Sequence, residues 1–408
     1  MWRMPPSTSG DTTIRAAANP IWMWAAVAGM AVLYVSSTLP TALYPVYQRE
    51  FGLSGLMLTV IYGSYVIGNL SVLFALGRLS DQLGRRPASL IAFGILLVST
   101  LCFLAAGTSA WLLAGRILNG FAVGLGAGTL TAWIAELEPA HDRARAALTA
   151  TAGNLAGLAF GPILAGVLAQ YAPWPLRTSY LVYLVMLLAT MALLRQTREG
   201  VERPVRRASE LSLKPRIGVP RDIRVQFLAP AAMAFAMFAL GGFYGALAPG
   251  LLTHRLDQQN LAVVGAVVAL FFGTGALTAA SAGRLRNRSA TLLSSALLIV
   301  GLLLLLIADR QRSMVWLLGA TVVCGASMAL GFRCSLGMVN EMAPPARRAE
   351  LVSAYLLVCY TANSLPIVGV GLLAQRIGAP TAHQVFAGLL ATLAVMASVV
   401  GWRCAPER

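Results

Sequence analysis

Charged residues are scarce in this chain. Only 11% of its 408 residues are Asp, Glu, Lys or Arg, whereas 58% are hydrophobic and the mean hydropathy is +0.72. A soluble globular chain would carry about 25% charged and about 45–50% apolar residues. Because the missing charge would normally cover a water-facing surface, the composition excludes a soluble globular protein and predicts a membrane protein.

Residues suited to catalysis or metal binding are also few. The chain has a single lysine, Lys214, with no glycine-rich phosphate-binding loop before it, which excludes an ATP-driven pump built on this polypeptide alone. His141, His254 and His383 lie unpaired in different loops or at span ends, and the five cysteines have neither metal nor disulfide spacing. We therefore expect no metal and no cofactor. An intramembrane enzyme and a receptor remain only as remote alternatives.

The hydrophobic residues fall in blocks of about 20, the helix length that crosses a hydrocarbon core of about 30 Å. Barrel strands would alternate apolar and polar residues, but these blocks are apolar throughout, so helices are predicted. The twelve predicted spans are 21–44, 56–76, 88–106, 110–133, 147–170, 175–194, 226–251, 260–282, 289–308, 314–337, 350–373 and 382–402.

The net charge of +16 follows the predicted topology. With both termini in the cytoplasm, 23 of the 31 Lys and Arg residues are cytoplasmic, six are outside, and Arg116 and Arg333 lie within spans. This positive-inside asymmetry predicts the orientation, and no basic domain suited to nucleic acid is present. No cleavable signal is evident, since residues 1–20 are polar and the first apolar stretch is too long. The use of Arg over Lys indicates a bacterial genome of high GC content, hence the bacterial inner (plasma) membrane.

The two halves of the chain are related by an internal repeat. Three matches occur at offsets of 205 or 206 residues: Glu136, Pro139 and Arg143 with Glu341, Pro344 and Arg348; Gly166, Leu168, Ala169 and Gln170 with Gly371, Leu373, Ala374 and Gln375; Gly77, Arg78 and Leu79 with Gly283, Arg284 and Leu285. The predicted organisation is a tail (1–20), a six-helix bundle (21–194), a cytoplasmic linker (195–225), a second bundle (226–402) and a tail (403–408). Parallel repeats of this kind indicate a transporter whose site lies between the halves.

The loop between spans two and three identifies a family. Gly77, Asp81, Gly84 and the pair Arg85 and Arg86 resemble the cytoplasmic signature loop of the major facilitator superfamily, and the resemblance covers about residues 20–402. It implies an all-α integral membrane fold of twelve transmembrane helices in two pseudo-symmetric six-helix bundles.

In that superfamily, the acid and base of the loop pair with the ends of other spans to latch the cytoplasmic side. Glu136, at the foot of span four, is the expected partner of Arg85 or Arg86. The second copy of the loop, residues 283–288, lacks the aspartate, so we expect an asymmetric latch.

Span four contains Arg116, Asn119 and Gly120 on one helical face. They resemble the superfamily's arginine–glycine motif, which implies proton transfer in its antiporters. An arginine inside a span costs at least about 2.5 kcal/mol and normally faces a cavity or a partner. The alternative is an arginine that snorkels to the nearby outer interface.

Span five contains Gly157, Gly161, Pro162 and Gly166. This segment resembles the Gly-Pro motif of the superfamily's drug:proton antiporters, which implies export. Ala165 departs from the pattern, because those families usually carry another glycine there. The alternative is a small-residue packing face with a proline kink.

The solute cavity is predicted to be lined by polar and aromatic residues of the spans. The candidates are Tyr34, Tyr62, Tyr65, Asn154, Phe238, Tyr244, Phe272, Arg333 and Asn363. Such a lining suits a small amphipathic solute, a drug or metabolite.

We therefore expect a monomeric secondary transporter in the lipid bilayer that exports such a solute by alternating access, in exchange for protons. The predicted spans contain no Asp or Glu in their middle thirds, however. That absence leaves open an uncoupled facilitator, or an importer of a small polar solute such as a sugar.

Overall fold

The structure is a computed structural model that describes residues 20–75, 79–140, 142–199, 218–281, 287–344 and 347–404. In these ranges the regular secondary structure is helical throughout, without a strand. Twelve of the helices are long and apolar enough to cross a membrane, which confirms the predicted fold class. They are α1 Ile21–Phe51, α2 Gly55–Phe74, α3 Arg85–Leu104, α4 Ser109–Leu137, α5 Arg143–Tyr171, α6 Pro175–Gln196, α7 Arg221–Arg255, α8 Leu261–Ser281, α9 Asn287–Gln311, α10 Met314–Met342, α11 Arg348–Ile377 and α12 Ala379–Val400.

Each helix coincides with one predicted span, and the differences are at the ends. α5 begins four residues before the predicted residue 147, because the Asp142 carboxylate accepts hydrogen bonds from the Ala144 and Arg145 amides and caps the first turn. Apolar windows locate the hydrocarbon core, whereas helices continue through polar residues until a cap ends them.

Some predicted segments lie outside the described residues. These are residues 1–19 of the tail, 200–217 of the linker, Gly77 of the signature loop, residues 283–286 of its second copy, and 405–408.

The chain crosses twelve times, so residues 20 and 404 lie on the same side of the bundle. We call this the terminal side, and the opposite face the distal side. Odd-numbered helices therefore begin on the terminal side, and even-numbered helices begin on the distal side.

The internal repeat is visible in the packing. In the first half, Gly120 of α4 lies so close to α2 that an added β-carbon would overlap the Tyr65 carbonyl. In the second half, Gly325 of α10 has the same relation to the Phe271 carbonyl of α8. The two pairs are related by offsets of 205 and 206 residues, so the two bundles share one packing scheme.

The first helix of each bundle is irregular at an equivalent level. α1 tightens into a 3₁₀ turn over Leu39–Leu43, which contains Pro40. α7 widens into π-helical turns over Phe243–Leu247 and Leu251–Arg255, on either side of Pro249. Such departures from α geometry are frequent at functional sites because they release backbone groups.

The close contact of α4 with α2 yields a stability prediction. Gly120→Leu forces a side chain against the α2 backbone and should destabilise the protein by about 1–3 kcal/mol or more. Gly128→Leu, on the same helix with nothing within 4 Å of an added β-carbon, is the matched control. Thermal unfolding in detergent, followed by size exclusion, should show a lower midpoint for Gly120→Leu only. Equal midpoints would contradict the packing described.

Candidate functional site

The two bundles meet along a seam on the distal side. Among the described residues, five hydrogen bonds cross it, and all five involve the distal halves or the middle of the helices. The bonded pairs are Thr41 and the Gly245 carbonyl (2.9 Å), Tyr62 and Asn363 (3.2 Å), Gln48 and His254 (3.1 Å), Asn260 and Tyr171 (3.4 Å), and the Leu261 amide and Gln170 (2.8 Å). The distal side is therefore closed in this structure.

The repeated glycines found in the sequence lie at this seam. An added β-carbon on Gly166 of α5 would overlap the Leu261 carbonyl of α8, and one on Gly371 of α11 would overlap Thr59 of α2. Gly265 of α8 approaches the Pro162 carbonyl equally closely. Gly166 and Gly371 are repeat equivalents, so each bundle places the same glycine against its partner.

The break in α1 is stabilised by α4. Pro40 has no N–H to donate, and the 3₁₀ turn leaves carbonyls of the preceding turn without their α-helical donors. Arg116 donates to the Ser37 carbonyl at 3.0 Å, and Asn119 donates to the Ser36 hydroxyl at 2.8 Å. The predicted span-four face is therefore a support for α1.

Arg116 is 2% exposed, which excludes the snorkelling alternative. Its guanidinium lies 5.2 Å from the ring centroids of both Tyr62 and Tyr65, a cation–π arrangement. In the described chain, no carboxylate lies within 4 Å of it. Its charge is balanced by the carbonyl end of α1 and by aromatic faces.

The proline of α5 is also compensated by α1. Pro162 cannot donate to the Leu158 carbonyl four residues earlier, and the Thr38 hydroxyl donates to that carbonyl at 3.1 Å. Gly161 provides the space for Thr38, and Gly157 lies against the Ala31 carbonyl. The predicted motif thus joins α5 to the broken segment of α1 and, through Gly166, to α8.

Polar and aromatic residues of both bundles gather on the terminal side of the Tyr62–Asn363 bond. Tyr34 lies near Asn154 and Tyr65. Tyr360 of α11, which was not among the predicted cavity residues, lies near Tyr34 and Tyr65 of the opposite bundle. Tyr34, Asn154, Tyr360 and Asn363 are partly exposed, as the lining of a path between the bundles would be.

The cavity residues predicted in the second half agree less well with their positions in the structure. Tyr244 is fully buried inside its own bundle, where its hydroxyl contacts Thr321 at 3.2 Å and its ring stacks on Phe271 at 4.1 Å. Its assignment to the cavity is therefore corrected to a packing role, because the helix turns this face away from the interface.

Phe272 is 5% exposed and packs edge-on against Phe271. Phe238 is half-buried and packs against Phe332 on the terminal side, where Arg333 is also half-buried. The structure does not bring these three residues together with the tyrosine cluster.

Residues of the signature loop form an ion-pair network within the first bundle. Arg85 contacts Asp81 at 2.5 Å and Glu136 at 2.9 Å, so Arg85 rather than Arg86 is the partner of Glu136. The Arg85 side chain is 12% exposed, whereas Arg86 points outward as an exposed residue.

Glu199, just beyond α6, completes the network and was missed in the sequence. Its carboxylate accepts the Arg85 and Arg86 amides at 2.7 and 2.9 Å, so an anion occupies the positive N-terminus of α3. Gly84 has a φ of 102° and lies against this carboxylate, which explains the glycine.

The second bundle contains a related contact. Asn287, at an offset of 206 from Asp81, donates to Glu341 at 2.7 Å. Glu341 is the repeat equivalent of Glu136, so an amide–carboxylate contact of the second half corresponds to the contact of Glu136 in the first half.

Two of the three histidines, His254 and His383, are not isolated, contrary to the interpretation of the sequence, and His141 lies outside the described residues. His254 and His383 line one distal cavity of about 320 Å³, which we call the vestibule. Beside it, Arg255 and Asp309 form an ion pair at 2.8 Å. Positions 254, 309 and 383 end or begin three separate spans, so only the topology shows that they meet.

Comparisons with known proteins agree with this architecture. Residues 25–365 match the Major Facilitator Superfamily. The D-xylose–proton symporter has the same fold with a TM-score of 0.75 at 16% identity, covering 95% of this chain and 98% of that one. A bacterial homologue of the human lysosomal transporter Spinster, in an inward-facing and unoccupied conformation, gives a TM-score of 0.67 at 15% identity and covers 95% of each chain.

Curated relatives match over shorter segments. The human solute carrier family 2, facilitated glucose transporter member 10, is 33% identical over 144 residues, 35% of this chain and 25% of that protein. The Staphylococcus aureus quinolone resistance protein NorA is 24% identical over 139 residues, 34% of this chain and 36% of that protein. The aligned segments thus span about a quarter to a third of these relatives.

The match to the superfamily covers most of the chain, and the two-bundle fold agrees with it. In the described residues no group of three or more His, Cys, Asp or Glu side chains could hold a metal ion, and the structural neighbours are transporters. The chain belongs to the Major Facilitator Superfamily and is a multi-pass membrane transporter.

Proposed function

We propose that the protein exports a small amphipathic solute by alternating access, in exchange for protons. The observation that carries this proposal is the seam, hydrogen-bonded on the distal side, with the tyrosine–asparagine cluster on its terminal side. This is the arrangement expected of a solute path that is closed at one end.

Alternating access requires the seam to open as the bundles rock. Each net hydrogen bond contributes about 0.5–1.5 kcal/mol to the closed form. Opening the seam breaks five of them, and the free energy of proton or solute binding offsets this cost. A ligand shifts such an equilibrium only by its difference in affinity between the two states. In this proposal, each bundle moves as a rigid unit around the glycine contacts of the seam.

The orientation is part of the proposal. Placing the terminal side in the cytoplasm puts 23 of the 31 basic residues there and accords with the positive-inside rule. With that orientation in a bacterial inner membrane, the structure is an inward-facing form.

The solute class follows from the cluster. The cluster offers the ring faces and hydroxyls of Tyr34, Tyr65 and Tyr360 and the amides of Asn154 and Asn363. The Arg116 guanidinium is already hydrogen-bonded to α1. Aromatic faces with a few neutral polar groups suit a weakly polar or amphipathic molecule.

The direction of transport is inferred from α5. Its Gly-Pro segment joins α1, α5 and α8 through Thr38 and Gly166, and it resembles the motif of exporters. Similarity to NorA, whose name refers to quinolone resistance, also favours export.

A second candidate is an uncoupled facilitator or an importer of a small polar solute such as a sugar. The similarity to a facilitated glucose transporter and the absence of an acid within 4 Å of Arg116 in the described chain favour it. Direct measurement of proton flux separates the two candidates.

We predict that everted membrane vesicles with an acidic lumen lose part of their pH gradient when ethidium, quinolones or other amphipathic compounds are added. Solute entering the lumen in exchange for protons would produce this signal, read with a pH-sensitive fluorophore. Gly265→Leu should abolish the response, because its side chain overlaps the Pro162 carbonyl across the seam. Gly273→Leu, on the same helix with nothing within 4 Å of an added β-carbon, should retain it.

Solute movement without proton flux in these vesicles would support the facilitator. Accumulation of a sugar in right-side-out vesicles would instead support the importer. Either result would refute proton-coupled export.

We also propose that the Asp81–Arg85–Glu136 network controls the terminal gate. Arg85→Ala and Glu136→Ala should each slow transport several-fold, and the double variant should be no slower than Arg85→Ala, since both remove one interaction. Partly exposed ion pairs contribute little stability, so unfolding midpoints should change little.

Arg86→Ala removes the same charge from the neighbouring exposed side chain and is the matched control for this series. Transport rates are measured in vesicles that contain equal amounts of each variant. Additive losses for Arg85 and Glu136, or an equal loss for Arg86→Ala, would refute a gating role for the network.

A further inference from the structure

The vestibule opens at the distal side between the two bundles. Its volume is about 320 Å³, and its walls come from α1, α2, α7, α11 and α12. Its polar lining consists of Tyr44, Gln48, Thr59, His254, Arg255, Gln375 and His383. Gln48 and His254 are also one of the pairs that hold the seam closed.

A second, much smaller cavity lies behind the vestibule. Its volume is about 20 Å³, enough for one water molecule, and its polar lining is Asp309 and His383 in a wall of leucine and phenylalanine side chains. His383 borders both cavities. It is therefore placed between distal water and the Asp309 carboxylate.

Asp309 and Arg255 form an ion pair that is costly at this position. The Asp309 side chain is 8% exposed and that of Arg255 is 30% exposed, and their atoms are 2.8 Å apart. Desolvation of such a pair can exceed its Coulombic gain, so packing alone does not account for it. His383 interacts electrostatically with both partners and packs edge-on against Phe243 at 5.7 Å.

We propose that His383, Asp309 and Arg255 form a proton-binding site, reached from the distal side through the vestibule, whose protonation opens the distal seam. The proposal deepens the proposed function, because it supplies a site for the protons that are exchanged. No group in the middle of the spans is needed for it.

The proton step is a simple acid–base exchange. A hydronium ion of the vestibule transfers its proton to the neutral His383 imidazole and becomes water. The resulting imidazolium competes with Arg255 for the Asp309 carboxylate, directly or through a water in the small cavity. Arg255 is then released from α9.

The release of Arg255 affects the seam through the end of α7. Arg255 ends the π-helical segment Leu251–Arg255, and the preceding residue, His254, bonds to Gln48 of α1. This π-helical turn interrupts the regular α-helical pattern at the end of α7, so the loss of one anchor loosens this end of the helix. The seam contact between α7 and α1 is therefore linked to the charge on His383.

The surrounding charges give the direction of the effect. Asp309 faces His383 from α9, Arg255 and His254 from α7, and Tyr44 from α1, while the vestibule lining from α11 is the neutral Gln375. In the closed form, a second positive charge next to the partly buried Arg255 is unfavourable. Opening admits water and separates the cations, so acid favours the distal-open form.

The test uses the protein in lipid nanodiscs without solute. Spin labels are placed at Trp111 of α4 and Val315 of α10, which are 46% and 77% exposed at the distal ends of opposite bundles. The five native cysteines are replaced. Pulsed electron paramagnetic resonance then measures the distance between the labels from about pH 8 to about pH 5.5, the range in which histidine titrates.

We expect acidification to populate a longer distance, with the open-to-closed ratio rising about tenfold. That change corresponds to about 1.4 kcal/mol of difference in proton-binding free energy. His383→Gln and Asp309→Asn should abolish the response. Arg310→Gln, a charge change at the exposed neighbour of Asp309, should retain it.

Two results would overturn the proposal: a distance unaffected by pH in the parent protein, or an unchanged response in His383→Gln. Because no solute is present, these results do not depend on the direction of transport. Failure of proton-coupled export would instead appear in the vesicle assay, while the acid response of the seam could remain.

Discussion

The structure depends on one constraint, that a backbone carbonyl released inside a bilayer must find another donor. Proline breaks the hydrogen-bond pattern in α1 at Pro40 and in α5 at Pro162. Water is absent from the hydrocarbon core, so the free carbonyls are bonded by side chains of neighbouring helices. Arg116 bonds the Ser37 carbonyl and Thr38 bonds the Leu158 carbonyl, which joins α1, α4 and α5 into one unit.

This unit determines how the bundles meet. α5 carries Gly166 to the seam at the level where Gly371 of α11 approaches from the other bundle. Repeated glycines allow close contact without interlocking side chains, and the hydrogen bonds beside them supply specificity. Such a seam can separate and close again as a whole, which is the property that alternating access requires.

Much of the fold followed from hydropathy and from the repeat. The number and order of the helices were predicted correctly because a run of about 20 apolar residues matches the thickness of the hydrocarbon core. Facing directions were harder to predict, since spans that are apolar on all sides carry little information about their rotation. Tyr244 was therefore placed in the cavity although it packs inside its bundle, and Tyr360 was overlooked although it lies among the tyrosines.

Contacts between residues that are distant in the sequence were also not predictable. The role of Arg116 depends on a helix break in α1 that is about 76 residues away in the sequence. Asp309 appeared to be a span end, and its burial against Arg255 and His383 arises only when α7, α9 and α12 assemble. In the sequence, Glu199 is one residue of a polar stretch, and only the structure places it beside the N-terminus of α3.

Reversible locking of the seam tests the central claim most directly. Tyr171→Cys and Asn260→Cys place two thiols where the α5 and α8 ends are hydrogen-bonded across the seam. In a background without the native cysteines, a short cleavable thiol cross-linker should stop solute transport in vesicles, and reductant should restore it. Transport that continues at the full rate while the cross-link is intact would contradict alternating access through this seam.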